Sequence, residues 1–196
     1  MGQICKMEQN RQNTTITRHV KQLNNSIIEL AQTKLITINT FQQLNELYRH
    51  MNIENFFQYT DQLAAGAQPS MDDIIDLKND GYEVIINISP SSTRNALKNE
   101  AEITEKTGLY YVHFPIDCSN LKTLHYKTFE GIMNGLSGKK IFVHCGANIK
   151  SSNLIHMYRV LAGNTDEAES LKTLYQIQQP EEKWFEYFRQ FGLKKK

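Results

Sequence analysis

The chain has 196 residues, 40% hydrophobic and 22% charged, which suits one globular domain with an appendage and is long enough to bury a proper core. Lys and Arg number 22 against 21 Asp and Glu, a formal charge of +1 that provides no electrostatic footprint for nucleic acid or an anionic membrane. No run approaches transmembrane length, and Cys5, Cys118 and Cys145 are too few and too scattered for a disulfide framework or a zinc site.

Residues 1–53 read as an N-terminal helical extension. The first thirty are polar, without the apolar core of an export signal, and Met1-Gly2 is followed by Lys6 where N-myristoylation calls for Ser or Thr. A cytoplasmic protein is the expectation. Val20, Leu23, Ile27 and Leu30 recur at spacings of three and four, an amphipathic helix that caps the core or pairs with a second copy of the chain. Phe41, Leu44, Leu47 and Tyr48 predict a second short helix, Phe56 to Thr60 a strand, and Gln62 to Ala67 another.

A cleaner unit begins at Pro69-Ser70. Ser70 with Asp73 three residues on is a capping box; Met71, Ile74, Ile75 and Leu77 supply a buried face, and Asp80-Gly81 stops the helix. Glu83 to Ile88 is a continuous apolar run, as buried parallel strands are. After the breaker-rich Ser89-Pro90-Ser91-Ser92, a helix is predicted over 95–106, a strand over 109–114, a loop at 115–120, and a helix through Tyr126, Phe129, Ile132, Met133 and Leu136, closed by Gly138. Beyond Gly163, helices are predicted at 165–178 and 181–191. The aromatic stripe Trp184, Phe185, Tyr187, Phe188 and Phe191 reads as a helix fixed to the core. Alternating strands and helices give an α/β fold with a central, mostly parallel sheet of four to five strands flanked by helices. The loops at 89–94, 115–120 and 145–151 then share the carboxyl edge, where ligands bind in such sheets.

The chemistry concentrates in Lys139 to Leu154. A β-branched strand ends in His144-Cys145, a short Gly/Ala/Asn segment follows, and Leu154, Ile155, Tyr158 and Leu161 then mark one helical face. Strand, tight loop and helix aim backbone N–H groups at one point, in front of a helix N-terminus. Such an environment lowers a thiol pKa and holds a phosphate or another oxyanion. A buried cysteine at a strand end is more often structural. Asp117 has a rival reading as a turn or cap residue, Lys98 and Lys122 read as surface charges, and His113 as a satisfied strand or loop histidine.

His144-Cys145-x-x-Asn148-x-x-Ser151-Ser152 resembles the signature loop H-C-x-x-G-x-x-R-[ST] of cysteine-dependent tyrosine and dual-specificity phosphatases. Ala65-Gly66-Ala67-Gln68-Pro69-Ser70 through Ile88 is similar to the opening of a small bacterial phosphatase-like family, relatives of which are fused to β-lactamase-fold hydrolases; Tyr111-Val112-His113-Phe114-Pro115-Ile116 matches its Y-x-H-x-P-[IV]. The resemblance covers about 54–163, implies a dual-specificity-phosphatase-like domain there, and leaves 164–196 as C-terminal helices packed on it. It implies that Cys145 forms a phosphocysteine, that Asp117 protonates the leaving oxygen and later activates water, and that Ser152 stabilises the departing thiolate. Gly146, Ala147, Asn148, Ile149, Lys150 and Ser151 would hold the phosphoryl group of a phosphorylated small molecule or phosphoprotein, phosphotyrosine included. No metal or organic cofactor is implied.

The loop departs from that pattern at two positions, with Asn148 for the glycine and Ser151 for the arginine. The arginine six residues after the cysteine is Ser151 here, and serine cannot clamp two phosphoryl oxygens as a planar guanidinium does. Some bacterial relatives resemble C-x-x-N-x-R, and Cys145-Gly146-Ala147-Asn148-Ile149-Lys150 fits that variant with Lys for Arg. Arg94, at the same sheet edge, is a candidate source of the missing guanidinium from outside the loop, although a solvated loop arginine is the commoner case. The sequence thus supports a phosphatase slowed by the exchange, a sulfurtransferase or persulfide carrier that needs no Asp117, or a phospho-ligand binding module without turnover. Cys118, next to Asp117, is a candidate partner for a reversible disulfide with Cys145, at a separation the sequence does not give.

Overall fold

A computed structural model describes residues 52–194. The two helices expected before Tyr48, and the pairing with a second copy expected through the first of them, lie outside the described residues.

Five strands form one sheet in the order β1-β2-β5-β3-β4: β1 (Phe57–Thr60), β2 (Leu63–Gly66), β3 (Val84–Asn87), β4 (Tyr110–His113) and β5 (Ile141–His144). β1 and β2 are an antiparallel hairpin, and the β2–β5, β5–β3 and β3–β4 pairs are parallel. The described residues form six helices, α1 (Met71–Asn79), α2 (Glu100–Lys106), α3 (Thr123–Gly135), α4 (Ile149–Leu161), α5 (Glu167–Ile177) and α6 (Glu182–Arg189).

Alternation along the central strands builds two cores. Val84, Ile86, Ile141 and Val143 face α3–α6, while Ile85 and Phe142 face Ile74 and Leu77 of α1. Both faces of β3 and β5 are covered, which is why those segments are buried throughout and apolar up to their last residues, Asn87 and His144. α5 and α6 belong to the first core through Leu171, Leu174, Trp184, Phe185, Tyr187 and Phe188, as the aromatic stripe predicts.

The capping box at Ser70 is formed in both directions, with Asp73 N donating to Ser70 Oγ and Ser70 N donating to Asp73 Oδ2, at 3.2 and 2.8 Å. Two local expectations are corrected. Met71 and Ile75 are exposed, because only the Ile74/Leu77 stripe of α1 meets the sheet. The helix expected from residue 95 starts at Glu100: Thr93 and Ala96 close tight turns, and Asn99 adopts φ 57, a left-handed conformation that ends one turn before the helix can begin.

Candidate active site

β5 and α4 are joined by four residues, Cys145 to Asn148, at the carboxyl edge of the sheet. Asn148 makes this tight connection possible. It stands where the signature loop has glycine and supplies the same left-handed conformation at φ 60. Its side chain donates to Asn55 O at 2.7 Å, and Asn55, also left-handed at φ 54, donates through Nδ2 to Ala147 O at 3.2 Å. The two asparagines clamp the loop to the chain entering β1.

A second tie comes from Asn95, whose Nδ2 donates to Gly146 O at 2.7 Å. In a trans peptide the following N–H points the other way, so the Ala147 N–H is directed away from Asn95. The N–H groups of Ile149, Lys150 and Ser151, in the first turn of α4, have no intrahelical acceptor. A side chain at Gly146 would crowd the loop's supports, since a Cβ there would lie 3.0 Å from Thr93 Cγ2 and 3.2 Å from Asn95 Oδ1, and those side chains would have to give way. The Ala65–Ser70 segment lies alongside: Ala67 bridges to Ala147, and a Cβ on Gly66 would fall 2.6 Å from Ile53 Cγ2.

Cys145 is a free thiol, 1% exposed, at the head of this loop. Lys150, on the first turn of α4, sends its ammonium across to Ile116 O at 3.1 Å and so links the phosphate-type loop to the 115–120 loop. Asp117 is exposed there. Its Oδ1 accepts from Ser119 N and its Oδ2 from Ser119 Oγ, both at 2.8 Å; these bonds, helped by the Lys150 and His125 charges, hold its carboxyl below the usual range. Cys118 is also a free thiol, and partial burial pushes its pKa up. Ser152 Oγ donates back to Asn148 O at 2.5 Å and accepts from Gln178 Nε2 at 3.1 Å, so its hydroxyl is committed to the helix and α5 rather than to the thiol. Ser151 Oγ is fully buried without a hydrogen-bond partner. Arg94 is exposed in its turn, and the bond to the loop comes from its neighbour Asn95. Ile149 is exposed at the rim.

Behind the loop is a polar cluster that sequence reasoning missed. His144 follows Phe142 on the same sheet face, and its Nε2 lies 3.0 Å from Glu100 Oε1 at the start of α2, close but off the N–H axis. Glu100 also accepts from Gln68 Nε2 at 2.6 Å, Asn87 Nδ2 at 2.7 Å and Tyr111 OH at 2.9 Å. Burial pushes its carboxyl up, but His144, Tyr111 and Gln68 outweigh that and hold it below its ordinary value. Glu100 forms part of the wall of a cleft of about 360 Å³ with Asn87, Ser91, Tyr111 and His113. No group of His, Cys, Asp and Glu among the described residues is arranged to hold a metal ion, and no described helix is long and apolar enough to cross a membrane.

No protein-family model matches the chain. A β-lactamase hydrolase-like protein of Xylella fastidiosa (strain Temecula1 / ATCC 700964) is 28% identical over 116 residues, covering 57% of this chain and 27% of the relative, so the chain spans about a quarter of that protein's length. A candidate phosphatase (DUF442) from Shewanella putrefaciens CN-32 is 30% identical in one crystal structure, covering 61% of this chain and 77% of that one with a TM-score of 0.58. A second crystal structure under the same description covers 74% and 95% at 26% identity and a TM-score of 0.65. Pseudomonas aeruginosa TpbA, 13% identical, shares the fold over 72% of this chain and 89% of its own at a TM-score of 0.60. Asn148 in the glycine position, the ties on the loop carbonyls and this likeness agree: the chain belongs to the DUF442 family of phosphatase-like proteins, built on the tyrosine/dual-specificity phosphatase fold.

Proposed function

We propose that the protein is a cysteine-dependent phosphatase acting on a phosphomonoester of a small molecule or a phosphoprotein, phosphotyrosine included, in the cytoplasm. The observation that carries this reading is Cys145 at the head of a loop whose Gly146 and Ala147 carbonyls are tied back by Asn95 and Asn55, in front of the free N–H groups of α4. That arrangement stabilises charge developing on phosphoryl oxygens without reorganisation. Cys145 Sγ attacks phosphorus and the ester oxygen leaves with its electron pair, giving a phosphocysteine; water then releases inorganic phosphate and regenerates the thiolate. Lys150 supplies the cationic charge in place of the family's arginine, as a point donor rather than a fork. Asp117 protonates the leaving oxygen, for which its carboxyl must exchange Ser119 for the substrate. The hydroxyl assigned to the departing thiolate is Ser151, the uncommitted one, in place of Ser152. The chemistry draws on no metal or organic cofactor.

A specific observation favours a second reading, phospho-ligand binding without turnover. The Asp117 carboxyl is held in its charged form and Lys150 is already bonded to Ile116 O, so neither group is poised for chemistry at rest. The test is hydrolysis of an aryl phosphate by reduced protein across pH 5–8, beside Cys145→Ser and Lys150→Ala. Turnover abolished in the first and weakened in the second supports the phosphatase. No turnover with phosphate still bound supports the binding module, and transfer of sulfur from thiosulfate to Cys145 would assign a sulfurtransferase.

A further inference from the structure

A cleft of about 300 Å³ opens at the opposite end of the sheet from Cys145. Leu63 and Ile141, the first residues of β2 and β5, form its floor with Met133, and Arg159 from the last turn of α4 forms one wall. Ile141 and Cys145 are separated by the length of β5, roughly 13 Å at about 3.3 Å per residue. The cleft is thus a different place from the phosphate-type loop.

Its charge is one-sided. Arg159 and Lys139 line it, and no Asp or Glu does. Lys139 is already paired with Glu83 at 2.8 Å. Arg159 is less well provided for. Its side chain is 16% exposed and its guanidinium lies over the Tyr59 ring at 5.5 Å, yet the nearest carboxylate oxygen is Glu169 Oε1 at 3.9 Å from Nη2, on a side chain that is 69% exposed. Nη1 is buried with no hydrogen-bond partner, and so is Tyr59 OH. The C-terminal dipole of α4 and the Tyr59 ring explain why a cation sits there; neither satisfies its donors.

We infer that this cleft is a binding site for a small organic carboxylate with an apolar body. The carboxylate accepts from Nη2 of Arg159, the donor that the exposed Glu169 only approaches, and the body lies on Leu63, Met133 and Ile141. A monoanion fits better than a phosphate dianion, because the second cation is already neutralised by Glu83.

The experiment titrates 4-phenylbutyrate into the full chain while amide chemical shifts are recorded, with 4-phenylbutanol and inorganic phosphate as the uncharged and dianionic comparisons. Expected are saturable shifts centred on Thr60, Gly138 and Tyr158 for the carboxylate alone, unchanged in Cys145→Ser and weakened by about tenfold or more in Arg159→Met. Absence of saturation, equal binding of the alcohol, tighter binding of phosphate, or shifts centred on Gly146 to Ser151 would overturn the inference. Should Arg159→Met not fold, the location of the wild-type shifts and the alcohol comparison decide by themselves.

Discussion

His144 Nε2 lies 3.0 Å from Glu100 Oε1, so the residue immediately before the candidate nucleophile rests against a buried carboxylate. The amide in Glu100→Gln would turn an NH₂ toward groups that themselves donate, namely Gln68, Asn87 and Tyr111. Leaving such buried donors unmatched costs about 1–3 kcal/mol. Glu100 has a folded-state pKa below its unfolded value, so its stabilisation is present above the unfolded pKa and fades as pH falls through the folded one. Urea unfolding at pH 7 should therefore show Glu100→Gln less stable than wild type, with the gap closing under acid conditions. A gap that does not change with pH would mean the carboxylate charge is immaterial.

Positions 150 and 151 are the two places where the loop could carry an arginine, and burial separates them. Ser151 is wholly buried in the first turn of α4, whereas Lys150 reaches the neighbouring loop. Lys150→Arg should then raise phosphate affinity and aryl phosphate turnover, since a fork replaces a point donor; Ser151→Arg should destabilise the fold by overpacking, by about 1–3 kcal/mol or more. Steady-state kinetics with thermal unfolding of both variants checks this. Rescue by Ser151→Arg in a folded protein would show that the loop keeps the longer spacing.

The strand–loop–helix unit at Cys145 was legible because β-branched runs, breakers and a helical face are local signals, and Asn148 in the glycine position follows from which residues tolerate positive φ. The supports of the loop were not. Asn55 and Asn95 lie 92 and 51 residues from the carbonyls they hold, and neither has unusual neighbours. Glu100 sits in Lys98-Asn99-Glu100-Ala101-Glu102, which reads as a solvated helical face. Its burial comes from Gln68, Asn87, Tyr111 and His144 converging on it from four other segments. Ser152 aligned with the family hydroxyl, yet its position on α4 turns it onto Asn148 O. Residue order alone does not carry rotamers.

If Asp117 is the general acid, its contribution depends on the leaving group. Asp117→Asn should slow an alkyl phosphate by about 10²–10⁴-fold and a nitrophenyl phosphate far less, because the good leaving group needs no proton. Because Ser119, Lys150 and His125 lower its pKa, the protonated form is favoured at acid pH, and the wild-type rate on the alkyl ester should climb as pH falls. Equal losses on both esters, or a flat profile, would leave Asp117 as a turn residue.

His156 gives the fold a pH dependence of its own, away from the site. It is buried on α4 beside Phe188, with Nδ1 2.9 Å from Ser170 Oγ. Burial lowers its pKa to about 4, assisted by the Arg159 charge and opposed by Ser170. The unfolded chain takes up its proton near pH 6.5, and the folded one not until about 4, so stability falls as pH drops through that window. The full loss is about 3 kcal/mol at about 1.4 kcal/mol per pKa unit. Glu100 acts lower, below the ordinary carboxylate range, so the slope between pH 6.5 and 5 belongs to His156. His156→Gln, which keeps a polar partner for Ser170 and cannot titrate, should flatten urea stability across that interval. A slope that survives the substitution would place the titrating group elsewhere.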